Sequence, residues 1–324
     1  MAEKCLLVTG AAGKLGRWLR PRLAKRFGRL RSTDVAAFPA IDGDEETAVV
    51  DLADRDAVEK LVAGSWGVVH FGGISREHTF EALMESNFRG TYNVFDAARR
   101  HDVERIVFAS SAHATGYTPV PQRIDGNAPH RPDTLYGVSK CFGENLARYH
   151  VDKFGMDIAC LRIGWSIPAP FDDYGRQIWL SYPDLQRLVE ACLTAPRFGF
   201  AVLYGASDLE RGWWHNGHAP SIGYVPGDAA EAQALRSKVA RSFGSVPEQR
   251  WQGGPFPAMG YRDRSYVHKY DPPPPQVLAL IAQGQAEAAK PPARKAGAAK
   301  KAAGKSAQPP KKPVKKTAKT ASKR

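Results

Sequence analysis

A tyrosine and a lysine stand four residues apart in the stretch Tyr136-Gly-Val-Ser-Lys140, a spacing that puts both side chains on one face of a helix. A phenol titrates near ~10, which is too high for a base at neutral pH, and a neighbouring ammonium lowers that pKa by favouring the phenolate. Ser111, at the end of an earlier apolar run, can donate a hydrogen bond to the reacting oxygen. The three side chains predict a proton-transfer site, with an exposed helix face as the alternative for an isolated pair.

Near the start of the chain, three glycines follow an apolar run in the stretch Thr9-Gly-Ala-Ala-Gly-Lys-Leu-Gly16. Glycines at this spacing let the chain turn sharply, approach a pyrophosphate and pack the next helix on a sheet. The N-terminus of that helix then offers N–H groups to the phosphates. Asp34 lies 18 residues after Gly16, where a carboxylate accepts hydrogen bonds from adenosine ribose hydroxyls. The pattern predicts a dinucleotide site, and an oxidised nicotinamide there would further lower the pKa of Tyr136.

The charge of Asp34 favours NAD over NADP, because a carboxylate repels the 2′-phosphate and no arginine follows it directly. Arg31 keeps NADP as the alternative. Asp51 and Leu52, after the third predicted strand, are predicted to lie at the adenine edge. A surface aspartate that starts a helix is the other interpretation of Asp51.

The elements that must position these residues alternate between short apolar runs and amphipathic stretches, which is typical of βα units. Strands are predicted at 5–9, 30–33, 48–50, 67–71, 105–109 and 157–163. Helices are predicted at 15–27, 54–62, 77–100, 135–154 and 183–195. Because crossovers of this kind are right-handed, we expect an α/β fold with a doubly wound parallel sheet, the Rossmann fold.

After residue 164 the pattern loosens into loops rich in Pro, Gly and aromatic residues. We expect an NAD-binding Rossmann domain with the catalytic residues at 1–164, and substrate-binding segments packed on the same domain at 165–270. A proline-rich linker and a short helix are expected at 271–289. Residues 290–324 are expected to form a disordered Lys/Ala/Pro tail, because they contain almost no large apolar side chain.

The net charge of +13 belongs to that tail. Thirteen of the 46 lysines and arginines lie in 290–324, so 33 basic and 33 acidic side chains remain in 1–289. A tail of this composition is expected to be an inert, solubilising extension. The alternative is that its basic side chains contact nucleic acid without sequence preference.

Several protein classes are excluded by composition. No apolar run approaches the ~18 residues of a membrane span. Cys5 follows Met1 so closely that no signal peptide is expected. The four cysteines are far apart and form no CxxC pair, which argues against disulfides or a metal site and favours the cytoplasm.

The order of these motifs resembles that of the extended short-chain dehydrogenases/reductases, the NAD-dependent epimerase/dehydratase family. The matching stretches are TGAAGKLG at 9–16, Asn87-x-x-Gly90-Thr91-x-Asn93, Ser110-Ser111 and YGVSK at 136–140. The resemblance implies a catalytic triad of Ser111, Tyr136 and Lys140, with Asn87 supporting the site. A helix-packing amide is the alternative for Asn87.

Longer stretches resemble the uronate dehydrogenases within this family, from residue 4 to about 262. They are HFGGIS at 70–75, RIVFASS at 105–111, LYGVSKCFGENLAR at 135–148, RIG at 162–164, GAS at 205–207, GWW at 212–214 and QGG at 252–254. This resemblance implies NAD-dependent oxidation of the anomeric carbon of galacturonate or glucuronate to an aldarolactone.

The motifs and the resemblance together imply two sets of contacts. The residues predicted to bind NAD are Gly10, Ala12, Gly13, Lys14, Leu15, Gly16, Asp34, Asp51, Leu52, Phe71, Gly72, Gly73, Asn87, Tyr136, Lys140 and Ile163. The residues predicted to bind the sugar acid are Ser75, Ser111, Ala112, His113, Tyr136, Trp165 and Arg176.

Three positions depart from the pattern of the uronate dehydrogenases. Ala112 stands where the family has an asparagine, and Trp165 stands where it has a serine. In the family, the arginine that binds the substrate carboxylate directly follows a tyrosine. In this chain Gly175 lies between Tyr174 and Arg176. An arginine suits a carboxylate, so Arg176 is the predicted partner, with a surface residue as the alternative. His113 is either a sugar contact or a packed loop residue.

Two other functions stay open. One is an NAD-dependent nucleotide-sugar epimerase or dehydratase, or a sugar reductase, with the same triad. It would need a larger substrate region than the chain has before residue 271. The other is a non-catalytic NAD-binding protein that reaches nucleic acid through its tail, against which the intact triad argues. The resemblance also implies a homo-oligomer formed through helices such as 77–100 and 135–154.

Overall fold

The computed structural model describes residues 4–41, 43–120, 122–170, 173–207, 212–217, 219–228 and 250–259. The strands within these ranges are β1 (Cys5–Thr9), β2 (Leu30–Asp34), β3 (Glu45–Val49), β4 (Ser65–His70), β5 (Arg105–Ser111), β6 (Asp157–Ile163), β7 (Trp165–Ser166), β8 (Trp179–Leu180) and β9 (Phe200–Gly205).

The helices fill the connections between the strands. They are α1 (Lys14–Phe27), α2 (Arg55–Val62), α3 (Phe80–Leu83), a π-helical turn (Met84–Arg89), α4 (Gly90–Arg100), α5 (Leu135–Phe154), α6 (Asp173–Ile178), α7 (Tyr182–Thr194) and α8 (Pro255–Ala258). Short 3₁₀ helices lie at Ala112–Thr115 and Pro220–Ile222. In the part of the chain that is described, no helix has the length and apolar character needed to cross a membrane.

Seven of these strands form one parallel sheet in the order β3-β2-β1-β4-β5-β6-β9. The chain winds outward from β1 to one edge and from β4 to the other, so the order reverses between β1 and β4. Ligands of doubly wound sheets bind beyond the carboxyl ends of the strands at such a reversal. The predicted doubly wound Rossmann fold is confirmed, and it places the glycine-rich turn at this crevice.

Both faces of the sheet are covered, which explains why β1 is apolar at successive positions rather than at alternate ones. Leu6 and Val8 pack against α1 and α7, whereas Leu7, between them, faces α2, α4 and α5 on the other side. The central strands are therefore held from both faces, and their carboxyl ends provide a rigid base for the site.

Several predicted boundaries differ from the structure. The predicted helix 77–100 begins only at Phe80 and is interrupted by the π-helical turn. Residues 77–79 cannot extend it, because Thr79 is its N-cap and the side chain of Glu77 bonds to a different helix. Strand β9 was not predicted, since we expected only loops and one helix after residue 164. The predictions for 271–289 and 290–324 lie outside the described residues.

Candidate active site

A cavity of about 970 Å³ opens beyond the carboxyl ends of β1, β4 and β5. One end lies at the glycine-rich turn and the ends of β2 and β3, and the other at segments that follow β5 and β6. Of the residues predicted to bind NAD, those that line it are Gly10, Ala12, Gly13, Lys14, Leu15, Gly16, Asp34, Asp51, Leu52, Phe71, Gly72, Gly73, Tyr136, Lys140 and Ile163. Of those predicted to bind sugar, Ser75, Ser111, Ala112, His113, Tyr136 and Trp165 line it.

The turn after β1 needs glycine at two positions because backbone packs directly against it. Gly10 has a φ of +72°, and a Cβ there would lie 2.6 Å from the carbonyl of Phe71. A Cβ at Gly16 would lie 2.3 Å from the carbonyl oxygen of Gly10. The glycines thus bring α1 close to the ends of β1 and β4, which is what a dinucleotide-binding turn requires.

The N-terminus of α1 faces the cavity without an anionic partner of its own. Its N-cap is Gly13 and its first turn contains no acidic residue. Lys14 and Arg17, both exposed, line the same wall. Free N–H groups at a helix start and nearby cations suit a pyrophosphate, so the residues present fit a dinucleotide at this end.

Asp34 is held in place by backbone hydrogen bonds. Its carboxylate accepts one from the N–H of Ala12 at 2.9 Å and one from Ala36 at 3.2 Å. Carboxylate oxygens carry further lone pairs, so Asp34 can still accept from ribose hydroxyls. Arg31, which kept NADP open, is occupied elsewhere: it donates to Glu46 and to the carbonyl oxygen of Ala63. This end of the cavity therefore fits NAD.

Two further hydrogen bonds organise the dinucleotide end of the cavity. Asp51 is exposed and accepts a hydrogen bond from the N–H of Ala53 at 2.9 Å, while the N-cap of α2 is Asp54. Asp51 is therefore not the aspartate that starts that helix. On the neighbouring strand, the hydroxyl of Thr9 accepts from the N–H of Gly72 at 2.9 Å and fixes the chain as it leaves β4.

The predicted proton-transfer pair lies at the start of α5. Tyr136 and Lys140 are both buried, and the Lys140 ammonium is 5.6 Å from the centre of the Tyr136 ring and 5.1 Å from that of Phe108. The Ser111 hydroxyl lies near enough to the Tyr136 phenol to influence its pKa, and it accepts a hydrogen bond from the N–H of His113 at 3.2 Å. The structure thus brings Ser111, Tyr136 and Lys140 together on one wall.

The pKa of Tyr136 moves opposite to the direction predicted from the sequence. Burial raises the pKa of Tyr136 to about 12, while the neighbouring Ser111 hydroxyl acts to lower it and the charge of Asp133 acts to raise it. Burial also lowers the pKa of Lys140 to about 8. The expectation that Lys140 lowers the phenol's pKa is wrong for the protein alone, because burial destabilises both the phenolate and the ammonium.

Beneath the triad, a buried ion pair joins three elements that carry active-site residues. Glu144 on α5 forms two hydrogen bonds with Arg162 on β6, at 2.9 and 2.8 Å, and accepts one from Ser110 on β5 at 2.5 Å. Burial alone would raise the pKa of Glu144, but hydrogen bonds from His130 and Arg162 lower it to about 2. The cluster stays charged and holds β5 and β6 against α5. No local sequence pattern indicates this cluster.

His70, the last residue of β4, is another buried polar side chain, and its ring lies against α4. Its ring nitrogens bond to the hydroxyls of Thr9 at 2.8 Å and Thr91 at 3.3 Å. Burial, with the charge of Lys140 adding to it, lowers the pKa of His70 to about 3. A neutral imidazole therefore links β1 to α4 beneath the glycine-rich turn.

The other end of the cavity is lined by aromatic rings. The ring of His113 stacks on Phe256 of α8, with centroids 3.9 Å apart, and meets Tyr136 edge-on at 5.9 Å. Its Nδ1 donates to the buried Asp133 at 2.9 Å, since an ionised carboxylate only accepts. His113 is thus both a cavity residue and a packed loop residue.

Two predicted site residues do not line the cavity. Asn87 is buried in the π-helical turn, where its amide bonds to the backbone of Ile74 and to Ser139. These bonds hold the loop after β4 against α5. Arg176 is half-buried on α6 and its side chain is not part of the cavity wall.

Sequence reasoning missed several wall residues, among them Tyr174 and Phe256. Tyr174 is the tyrosine near which Arg176 was expected. In the structure its ring lies beside that of Trp165, with the ring centroids 6.4 Å apart. Nothing in the local sequence pattern indicated this contact. Phe256 follows the Gln252-Gly-Gly254 stretch, whose likeness to the uronate dehydrogenases was the one signal that could have identified it. Among the described residues, no group of His, Cys, Asp and Glu side chains is arranged to hold a metal ion.

The chain is similar to known dehydrogenases over most of their lengths. The profile of the NAD dependent epimerase/dehydratase family matches residues 6–166. A uronate dehydrogenase of Pseudomonas putida is 44% identical over 258 residues, which cover 79% of this chain and 96% of the relative.

Two solved structures are similar in both sequence and fold. A mutant uronate dehydrogenase from Agrobacterium tumefaciens, complexed with NAD, is 45% identical with a TM-score of 0.74 and covers 78% of this chain and 97% of its own. A glucuronic acid dehydrogenase from Chromohalobacter salexigens is 40% identical with a TM-score of 0.75, covering 79% and 97%.

Proposed function

The chain belongs to the NAD-dependent epimerase/dehydratase family, and from this premise we propose that it oxidises the anomeric carbon of a hexuronate to an aldarolactone with NAD. The observation that carries the proposal is the joint placement of Ser111, Tyr136 and Lys140 on the wall of a cavity whose other end carries the glycine-rich turn and Asp34. The similar uronate and glucuronic acid dehydrogenases support the substrate class.

The protein's own groups supply placement and proton transfer. When bound, NAD supplies the oxidising chemistry by accepting a hydride from the sugar. The Tyr136 oxygen takes the proton of the C1 hydroxyl, and Ser111, beside Tyr136 on the cavity wall, donates to the sugar oxygen as a carbonyl develops. Lys140 provides positive charge one helical turn from Tyr136, and both side chains are buried.

The sugar-binding residues are proposed from their position on the wall. Ala112, His113 and Trp165 line the end of the cavity that follows β5 and β6, and Ser75 lines the wall after β4. In the proposal these four side chains surround the sugar ring. The predicted role of Arg176 as the carboxylate partner requires α6 to turn its side chain toward the cavity. We therefore propose His113, held by Asp133, as the nearer polar contact for the sugar.

The proposal is tested by incubating the purified chain with NAD and galacturonate, glucuronate, galactose, glucose or UDP-galactose. NADH should form with at least one uronate and faster than with either neutral sugar. Epimerisation of UDP-galactose without net NADH would favour the epimerase alternative. Binding of NAD without turnover of any sugar would favour the non-catalytic one, and either result would contradict the proposal.

For the domains, we propose that 165–270 bind substrate on the same body as 1–164. The pairing of β9 with β6 supports this, because a strand after residue 165 belongs to the sheet that the first segment builds. Tyr174 and Phe256, also after residue 165, contribute to the cavity wall.

For the oligomeric state, we propose a homo-oligomer that pairs α4 and α5 with the same helices of another copy. Tyr92 on α4 and Leu135, Val138 and Tyr149 on α5 are exposed although apolar or aromatic. Light scattering during size exclusion should give a multiple of the monomer mass, and Val138→Glu should reduce it. A monomeric wild-type chain would contradict this proposal.

For the tail, we propose non-specific contact of 290–324 with nucleic acid, supported by its thirteen basic and no acidic residues. Fluorescence anisotropy with a DNA duplex should show binding by the full chain that weakens steeply with salt. A chain ending at residue 289 should lose that binding and keep its oxidation kinetics. Equal binding by both forms, or by neither, would leave the tail as an inert extension.

A further inference from the structure

The start of α5 receives hydrogen-bond acceptors from two separate parts of the chain. Thr134, its own N-cap, accepts from the N–H of Gly137 at 3.0 Å. The carboxylate of Glu77 accepts from the N–H of Leu135 at 3.2 Å and from the N–H of Tyr136 at 2.8 Å. The two N–H groups left by the local cap are thus taken by a side chain 58 and 59 residues away in sequence.

Glu77 belongs to the loop between β4 and α3, and this loop forms part of the cavity wall. The loop is fixed at two earlier points: Gly72 bonds to Thr9 at 2.9 Å, and Ile74 bonds through both backbone groups to the amide of Asn87. Ser75, on the wall and exposed, lies between the anchor at Ile74 and the one at Glu77.

We propose that Glu77 is a positioning residue that fixes the Ser75 loop to the backbone of Tyr136. This inference rests on the proposed oxidation, because it assigns Glu77 a role in aligning the sugar with the phenol. A carboxylate at a helix N-terminus bonds to N–H groups more strongly than a neutral acceptor does. Glu77 therefore holds the two sides of the sugar site together, with Ser75 on one side and Tyr136 on the other.

Removal of this link should disturb the sugar site and spare the dinucleotide site. Glu77→Ala leaves the anchors at Gly72 and Ile74 in place, and Glu77, unlike the glycine-rich turn, does not line the cavity. Misplacement of reacting groups by about 1 Å can cost ~100-fold in rate. We expect Glu77→Ala to lower kcat by about 30-fold and to raise the sugar KM, while the Kd for NAD stays within about twofold of wild type.

Three further variants separate positioning from simple loss of stability. Glu77→Gln keeps one acceptor oxygen for the stronger bond to Tyr136 but turns an NH2 donor toward the other N–H, so it should recover part of the lost kcat and fall between Glu77→Ala and wild type. Thr134→Ala removes the helix's own cap without freeing the loop, so it should lower the melting temperature with a much smaller change in kcat. Glu85→Ala removes another carboxylate, exposed and paired with Arg89 in the adjoining π-helical turn, and should behave like wild type.

Hydrogen exchange followed by mass spectrometry gives a readout besides activity. In Glu77→Ala, peptides that contain 72–79 and the first turn of α5 should exchange faster, and those that contain α1 should not. The inference is overturned if Glu77→Ala keeps the wild-type kcat, or if Thr134→Ala lowers kcat as much as Glu77→Ala does. Wild type that turns over no uronate, with faster exchange in Glu77→Ala, would instead refute the proposed function and leave the link between loop and helix standing.

Discussion

The two ends of the cavity are built in different ways. At the dinucleotide end, backbone and short side chains within the first half of the sheet form the site: a turn that only glycine allows, a free helix N-terminus, and a carboxylate fixed by Ala12 and Ala36. At the sugar end, the wall combines Ser75, His113, Trp165 and Phe256 from four separate segments.

The two ends therefore differ in the part of the reactants that they bind and in the way their binding groups are held in place. The dinucleotide end rests on the strands of the sheet, and it offers NAD the N–H groups at the start of α1 and a carboxylate that backbone hydrogen bonds hold in place. The sugar end depends on side-chain links between segments, such as His113 with Asp133 and Glu77 with α5. We therefore expect substitutions at the first end to change cofactor affinity, and substitutions at the second to change sugar turnover.

Tyr136 lies where the two ends meet, and its replacement should have the largest effect. Tyr136→Phe keeps the ring and removes the proton acceptor, so we expect kcat to fall by about 10³-fold. The Kd for NAD, measured by calorimetry, should stay within about threefold, because the glycine-rich turn and Asp34 are untouched. Tyr149→Phe, an exposed tyrosine on the same helix, is the control. A Tyr136→Phe enzyme within tenfold of wild type would remove the residue from the reaction.

The identity of these residues could be predicted from the sequence, but their electrostatics could not. The Tyr136–Lys140 spacing and the glycine-rich turn are local patterns, and local patterns survive in a linear sequence. Tyr136 is buried by segments that are distant in the sequence, so its raised pKa could not be predicted from the local pattern. For the same reason, no local pattern indicated that Glu77, expected inside a helix, would bond to the start of α5.

The pH profile of oxidation should show the cost of that burial. Burial raises the pKa of Tyr136 to about 12, so at neutral pH the phenolate is the minor form and its fraction rises with pH. We expect kcat/KM for the sugar to rise by up to about tenfold per pH unit between about pH 6 and pH 8. The rise should become shallower above about pH 8, where Lys140 loses its charge. A flat or falling profile over this range would contradict Tyr136 as the base.

Asp34 tests the dinucleotide end alone. Asp34→Ala should narrow the preference for NAD over NADP by about tenfold or more, because it removes both the ribose acceptor and the charge that repels a 2′-phosphate. Asp34→Asn keeps a hydrogen-bond acceptor but loses the charge, so its preference for NAD over NADP should lie between those of wild type and Asp34→Ala. Asp44→Ala, an exposed aspartate outside the cavity, should leave the ratio unchanged. The ratio of kcat/KM for the two cofactors is the measurement, and an unaltered ratio in Asp34→Ala would refute the ribose contact.

Trp165 tests the sugar end alone, with a smaller expected effect. Trp165→Ser opens space beside Tyr174 and adds a hydroxyl, so the ratio of kcat/KM for galacturonate to glucuronate should change by about fivefold while the KM for NAD does not. Trp213 packs on the same Tyr174 ring at 6.1 Å without lining the cavity. Trp213→Ser should therefore lower the melting temperature and leave the sugar ratio alone. Equal shifts in both variants would mean that Trp165 acts through packing of the aromatic cluster rather than by contact with the sugar.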